Sequence, residues 1–283
     1  MDDLIAHKRK VNAMKTLFFM NNADAKKKLE TYENIAMGAN PRICPHLFLK
    51  ASQGTGVSTF GELYCEVLKR NNVFGRTGCD FLELAFPGNG QSEKTRALFY
   101  ESCKEKARSI GNNDFYGVFV VSLEELENVN LKDNWLFEEF LAFVNDNRES
   151  MRFVLVCQPT ALNCEEMERR FQRICPNIDT VELLLPNSEV IESYLENALT
   201  EHHIFLNKTG KRTLQKFAER LEGQEGFSGF RTLQYVSDKM VYMCLSDGQM
   251  CLTPEKELLI RAFDSAFECL EEKGTKDRKI GFC

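Results

Sequence analysis

His46-Leu-Phe-Leu-Lys-Ala-Ser-Gln-Gly-Thr-Gly-Val-Ser-Thr59 is the stretch whose reading decides the fold. The apolar run 46–49 has the look of a buried strand, and Ser52-Gln53-Gly54-Thr55-Gly56 is a turn that only glycine-rich backbone makes easily. Beyond it, Phe60, Leu63, Tyr64, Val67 and Leu68 recur at i, i+3, i+4, i+7 and i+8, which is one face of a helix. Strand, glycine loop and helix in that order build a parallel sheet and present backbone N–H groups to an anion at the helix N-terminus.

Outward from this unit the pattern repeats. Phe81-Leu-Glu-Leu84, Val118-Phe-Val-Val121 and Phe153-Val-Leu-Val156 read as buried strands, and Val181 to Leu185 as a further one ending at Pro186. Between them, 92–106 and the stripe Leu136, Phe137, Phe140, Leu141 and Val144 read as helices. Alternation of this kind predicts an α/β core with a parallel sheet covered on both faces. After Asn187 the strand-like runs stop. Four helical stripes follow, around 190–199, 214–221, 230–241 and 258–270, the last opened by Thr253 as N-cap and Pro254 at the first helical position. The expected organisation is therefore an α/β core over 1–186 and a helical bundle over 187–283.

Composition narrows the functional classes. With 283 residues, 43% of them hydrophobic, the chain can bury a sizeable core. A formal net charge of −6 makes duplex nucleic acid and anionic membrane poor partners. The apolar cluster at Leu17 to Met20 is too short for a signal peptide or a membrane span, so a soluble, cytoplasmic protein is expected. The 11 cysteines are scattered without a C-x-x-C pair, and His202-His203 is adjacent rather than spaced to clip a metal. No metal site is expected, and free buried thiols in a reducing compartment are.

The glycine loop departs from the phosphate-binding pattern G-x-x-x-x-G-K-[ST] in two places. Ala51 replaces the first glycine and Val57 the lysine, while Gly56 and Ser58 fit. In its order of elements and in several short matches, the chain resembles the AAA+ ATPases, and within them the branch of red-type Rubisco activase and the stage V sporulation protein K group. The matching segments are the gapless alignment over 46–59, Gly90-Gln-Ser-Glu-Lys-Thr-Arg-Ala-Leu-Phe99 after the pore loop, and the opening Asp2-Asp-Leu-Ile5 with Val11. The ending Lys279-Ile-Gly-Phe282 and the lid segment Gly226-Phe-Ser-Gly229 match as well. The fold this implies is a P-loop αβα sandwich with a parallel sheet, followed by a small C-terminal helical lid.

The resemblance also assigns roles. Gly54, Thr55, Gly56, Ser58 and Thr59 become the nucleotide-binding candidates, Gln158 and Arg231 the sensors, and Phe86 the pore-loop aromatic, unless Phe86 simply packs in the core. The catalytic positions are degenerate: Val57 stands for the lysine, and Ser122 and Leu123 for the Asp-Glu pair that supports Mg²⁺ and polarises water. Glu124 and Glu125 lie two residues further on, either as substitutes or as the acidic start of a solvated helix. The stretch Cys175 to Thr180 lacks the branch's arginine finger, and Arg169, Arg170 and Arg173 lie upstream on a helix. The implied protein is a catalytically impaired pseudo-ATPase, with ATP and Mg²⁺ bound weakly if at all. It would serve as partner to an active AAA+ paralogue or as a homo-oligomer, with a protein client as a further candidate partner. Alternatives are a slow remodelling ATPase and a stand-alone protein-binding scaffold.

Overall fold

The computed structural model describes residues 15–38, 43–74, 79–87, 99, 101, 117–131, 134–224, 226–246 and 253–276. It divides into two compact units. One comprises Ala23–Ser52 with Gly56–Leu183; the other comprises Leu184 onward together with Gln53–Thr55 and the described residues before Ala23. The break at Leu183 falls three residues before the boundary read from the sequence, and residues 15–22 and the loop apex go with the helical part rather than with the α/β part.

The α/β unit is built from α1 (Ala23–Ala36), β1 (His46–Ala51), α2 (Val57–Arg70), β2 (Asp80–Ala85), β3 (Gly117–Ser122), α3 (Trp135–Asn147), β4 (Met151–Cys157), α4 (Cys164–Ile174) and β5 (Ile178–Leu183). The five strands form one sheet in the order β2-β3-β4-β1-β5, and every pairing is parallel. Leu49 of β1 sits beside Val156 on one side and Val181 on the other, which makes β1 an interior strand. Its apolar run is buried on both faces, as a parallel sheet requires. The strand read from Val181 to Leu185 in fact starts at Ile178 and ends at Leu183. Its polar first half, Asp179 and Thr180, hid it: Asp179 is held by Tyr32, whose hydroxyl donates at 2.7 Å, and by Lys28.

One apolar core lies in this unit, with Phe119, Phe137, Phe140, Phe153 and Phe171 all fully buried. Asn134 caps α3, its side chain accepting the Phe137 N–H at 3.1 Å, and this satisfies an amide that the first turn leaves open. Gly61 on α2 lets the helix approach the sheet, since a Cβ there would lie 2.8 Å from the Phe81 ring. The predicted helix at 92–106 and the segment 90–96 lie outside the described residues, apart from Phe99 and Glu101, as do the opening match around Asp2 and the ending at Lys279.

The helical unit contains α5 (Ser188–Glu201), α6 (Lys208–Glu222), α7 (Gly229–Ser246) and α8 (Lys256–Lys276) around a second core that includes Leu195, Leu214, Leu233, Met240 and Leu259. Asn187 and Asn207 cap α5 and α6 by accepting the N–H groups of Val190 and Gly210. The fourth helix does not open at Pro254. It starts at Lys256, with the Glu255 carbonyl accepting the Leu259 N–H, so Thr253 and Pro254 belong to the preceding turn.

Candidate functional site

The glycine loop leaves β1 at Ala51 and enters α2 at Val57, with Gly54 at φ +78° and Gly56 at φ +96°. Both values lie in the left-handed region that L side chains avoid, which is why glycine is needed at these two positions. Gly56 caps α2 with backbone alone; its carbonyl accepts the Phe60 N–H at 2.9 Å. Of the candidate ligands, Thr55 is buried, Val57 and Thr59 are half-buried and Ser58 is exposed. The Ser58 hydroxyl donates to Glu83 Oε2 of β2 at 2.8 Å.

Gly54 packs within the helical unit. Its carbonyl accepts the Phe230 N–H at 2.9 Å, and a Cβ built on it would sit 1.9 Å from the Ser228 carbonyl oxygen. Gly229, at φ +54°, reciprocates, because its own Cβ would lie 2.2 Å from Gly54 O. The loop apex and the Gly226-to-Gly229 segment are thus joined backbone to backbone, a contact that neither motif announces by itself.

At the end of β3, Ser122 is half-buried and its carbonyl accepts the Phe86 N–H at 2.8 Å. Leu123 is 0% exposed, inside the apolar core, and its N–H donates to the Val156 carbonyl. Glu124 and Glu125 begin a single turn of 3-10 helix, Glu124–Leu126. The acid that turns inward is Glu127, which sequence reasoning missed. It is buried, and its carboxylate accepts the Gln158 N–H at 2.7 Å. Burial pushes its pKa above the usual carboxylate value, partly opposed by that N–H. A signal was available, since Leu123, Leu126 and Glu127 fall on one side of a helical turn.

The sensor candidate Gln158 is half-buried; its N–H donates to Glu127, and its carbonyl accepts the Ala161 N–H and the Cys157 thiol. Arg231 is exposed on the first turn of α7. Two of the α4 arginines are engaged near home: Arg170 with Glu166 at 2.8 Å and with Glu138, and Arg169 with Glu166 at 3.0 Å. Beside them, Lys50 of β1 pairs with Glu168 at 2.9 Å, and Thr180 donates to the same carboxylate at 2.5 Å.

Phe86 is not available as a pore-loop aromatic. It is 1% exposed, with ring centroids 5.5 Å from Phe99 and 5.6 Å from Phe140, and edge-to-face aromatic packing of this kind is core structure. Among the described residues no group of three or more His, Cys, Asp or Glu could hold a metal ion, and no helix is long and apolar enough to cross a membrane.

No family model and no curated protein sequence matches the chain. Solved structures do match it. RuvB of Thermotoga maritima, as a point mutant, superposes with a TM-score of 0.56 at 12% identity, over 86% of this chain and 69% of that one. Domain III of the Thermotoga maritima replication initiation protein DnaA gives 0.51 at 14% identity, over 85% and 91%. The Aeropyrum pernix ORC2 protein, determined as ADPNP–ADP complexes, gives 0.52 at 12%, over 89% and 69%. At these identities the likeness is one of architecture. These matches support the fold seen here, a five-stranded parallel α/β core followed by a C-terminal helical region.

Proposed function

We propose that the chain is a catalytically impaired AAA+ subunit, a pseudo-ATPase that keeps the fold and lends its surfaces to a ring built with an active AAA+ protein. The observation that carries this reading is the burial of Leu123 at the position where the resemblance to the Rubisco activase branch places the water-polarising glutamate. Phosphoryl transfer depends on positioned charge and metal, and here Val57 supplies no cation, Ser122 no carboxylate and Leu123 no base. The residues present do not suit Mg²⁺-ATP: the hydroxyl that would face the metal is Ser58, and it is engaged with Glu83.

A phosphate-release assay on the purified chain tests the reading, and it is expected to match a blank. Turnover at about 1 s⁻¹ or faster would overturn it. The partner half is tested by mixing the chain with AAA+ paralogues of the same organism and following light scattering and the paralogue's ATPase rate. Association that changes the rate is expected; a strictly monomeric profile would leave a stand-alone scaffold instead.

A slow, nucleotide-binding ATPase is the second reading. It is favoured by the loop backbone itself, since Gly54 and Gly56 keep left-handed conformations and Gly56 leaves the first turn of α2 without a side-chain cap. Micromolar, Mg²⁺-dependent ATP binding by titration calorimetry would support it over the first.

A further inference from the structure

The helical unit carries a groove of about 410 Å³ between α6 and α8, away from the glycine loop in sequence and in its lining residues. Its floor is aromatic. Phe217 and Phe263 stack with centroids 4.0 Å apart and planes 15° from parallel, and Ile260 stands beside them 38% exposed. Its rim is basic: Arg212, Lys216 and Arg220 project from α6, and Lys256 from α8. Among the described residues the one acid in the lining is Asp264, 3.6 Å from Arg220, whose guanidinium also lies 4.0 Å over the Phe267 ring. The side chains of Arg212, Lys216 and Lys256 make no ion pair or hydrogen bond among the described residues. The groove's four cations and one anion contrast with a formal charge of −6 for the whole chain.

Helix stability does not explain this arrangement. Arg212, Lys216 and Arg220 follow one another at i, i+4 and i+8, a spacing at which like charges repel and weaken the helix. The ladder advances about 6 Å per step and spans about 12 Å along α6. A second helix lying alongside presents carboxylates at the same interval when acids recur every four residues. An apolar floor flanked by such a ladder is the complement of an amphipathic helix with one apolar and one acidic face.

We propose that this groove docks an acidic amphipathic helix of a partner protein. The partner's apolar side chains enter between Ile260 and the stacked Phe217 and Phe263, and its carboxylates face Arg212, Lys216 and Lys256. A polyphosphate or nucleic-acid backbone would satisfy the cations but not the aromatic floor, so the peptide is the better fit. The proposal does not depend on whether the glycine loop binds nucleotide.

The test uses the full chain and a fluorescein-labelled synthetic helix of about four turns, with Glu at i, i+4 and i+8 and Leu at i+3 and i+7. Fluorescence anisotropy is expected to show saturable, salt-sensitive binding. The Arg212→Glu/Lys216→Glu variant is expected to bind about tenfold more weakly, and Lys69→Glu, on α2 outside the groove, to bind as the native chain does. Circular dichroism of each variant separates loss of the site from loss of fold, and Ile260→Asp provides a second disruption through the floor. The proposal is overturned if the peptide does not bind at about 1 mM, which corresponds to negligible affinity. Equal binding by the charge-reversed variant, or by a proline-interrupted peptide, overturns it too. So does binding of a single-stranded oligonucleotide or tripolyphosphate, with the same charge dependence, where the peptide does not bind.

Discussion

Gly54 and Gly229 lie back to back: the Gly54 carbonyl fills the space that a side chain on Gly229 would need, and the Ser228 carbonyl just before Gly229 fills the space that a side chain on Gly54 would need. The Gly54 carbonyl accepts the Phe230 N–H, and the Cβ that alanine would add falls 1.9 Å from Ser228 O at position 54 and 2.2 Å from Gly54 O at position 229. The obstructing atoms are backbone, so no rotamer change relieves the clash.

Gly54→Ala and Gly229→Ala should each cost more than about 2 kcal/mol, combining left-handed strain with the clash. Gly226→Ala provides the contrast. Gly226 is equally left-handed at φ +85° but has nothing within 4 Å of its Cβ direction, so its cost should stay within the roughly 1–2 kcal/mol of backbone strain alone. Urea unfolding of the three variants measures this, and the 54/229 double variant should cost less than the sum because the two changes break one contact. Equal costs at 226 and 54 would remove the steric part of the argument.

The α/β core was legible because strands buried on both faces must be nearly pure apolar runs. His46 to Leu49, Val118 to Val121 and Phe153 to Val156 carry that signature directly, and the strands sit where they fall. Where partners from elsewhere decide, the sequence was mute. Asp179 and Thr180 look like loop until Tyr32, Lys28 and Glu168 are seen to bind them in β5. Phe86 reads equally as a pore-loop aromatic or a core residue until Phe99, Phe137 and Phe140 close around it. Glu127 left only a faint local trace, its i+4 spacing from Leu123, because its burial follows from the turn after β3 meeting the end of β4, a tertiary event.

His46 makes stability depend on acid. The imidazole is buried beside Arg152, its Nδ1 accepts the Phe153 N–H, and desolvation with that neighbouring charge holds its pKa down at about 3. The unfolded chain takes up the proton near pH 6.5, so this contribution is complete above that value and falls as pH drops toward 3. The slope of about 1.4 kcal/mol per unit gives a loss of roughly 2 kcal/mol at about pH 5. Urea unfolding at about pH 7.5 and about pH 5 should show the native chain losing that much more than His46→Gln, which keeps an acceptor for Phe153. Parallel losses in the two proteins would contradict it.

Glu127 should behave as a buried acid whose charge is a burden. Its pKa is raised by burial, so its ionisation favours the unfolded chain, and the stability it offers below about pH 4.5 declines as pH rises through the folded-state value. Glu127→Gln keeps an oxygen for the Gln158 N–H and should be neutral or stabilising at about pH 7. Glu127→Ala strands that N–H and should cost about 1–3 kcal/mol. Comparison of the two variants by denaturant unfolding distinguishes the hydrogen bond from the charge. A glutamine variant as damaging as the alanine one would show that the carboxylate's charge is needed.

Restoring the ATPase residues should fail at one position for a reason of packing. Val57 and Ser122 are half-buried, so a lysine stem and an aspartate can reach solvent from them, and Val57→Lys/Ser122→Asp should fold with a cost of no more than about 1 kcal/mol. Leu123 is different. It is 0% exposed in the core that contains Phe86, Leu126, Phe137 and Leu155, and a carboxylate there would be ionised without a partner or forced to take up a proton. Leu123→Glu should therefore cost about 3–5 kcal/mol, with the loss easing at low pH as the group neutralises. Adding it to the double variant should abolish folding before it restores turnover. Circular dichroism, denaturant midpoints and phosphate release on the three proteins measure each step. A triple variant that folds with the native midpoint and turns over ATP at about 1 s⁻¹ would show that the end of β3 can be opened to solvent, and that packing at Leu123 does not bar a carboxylate there.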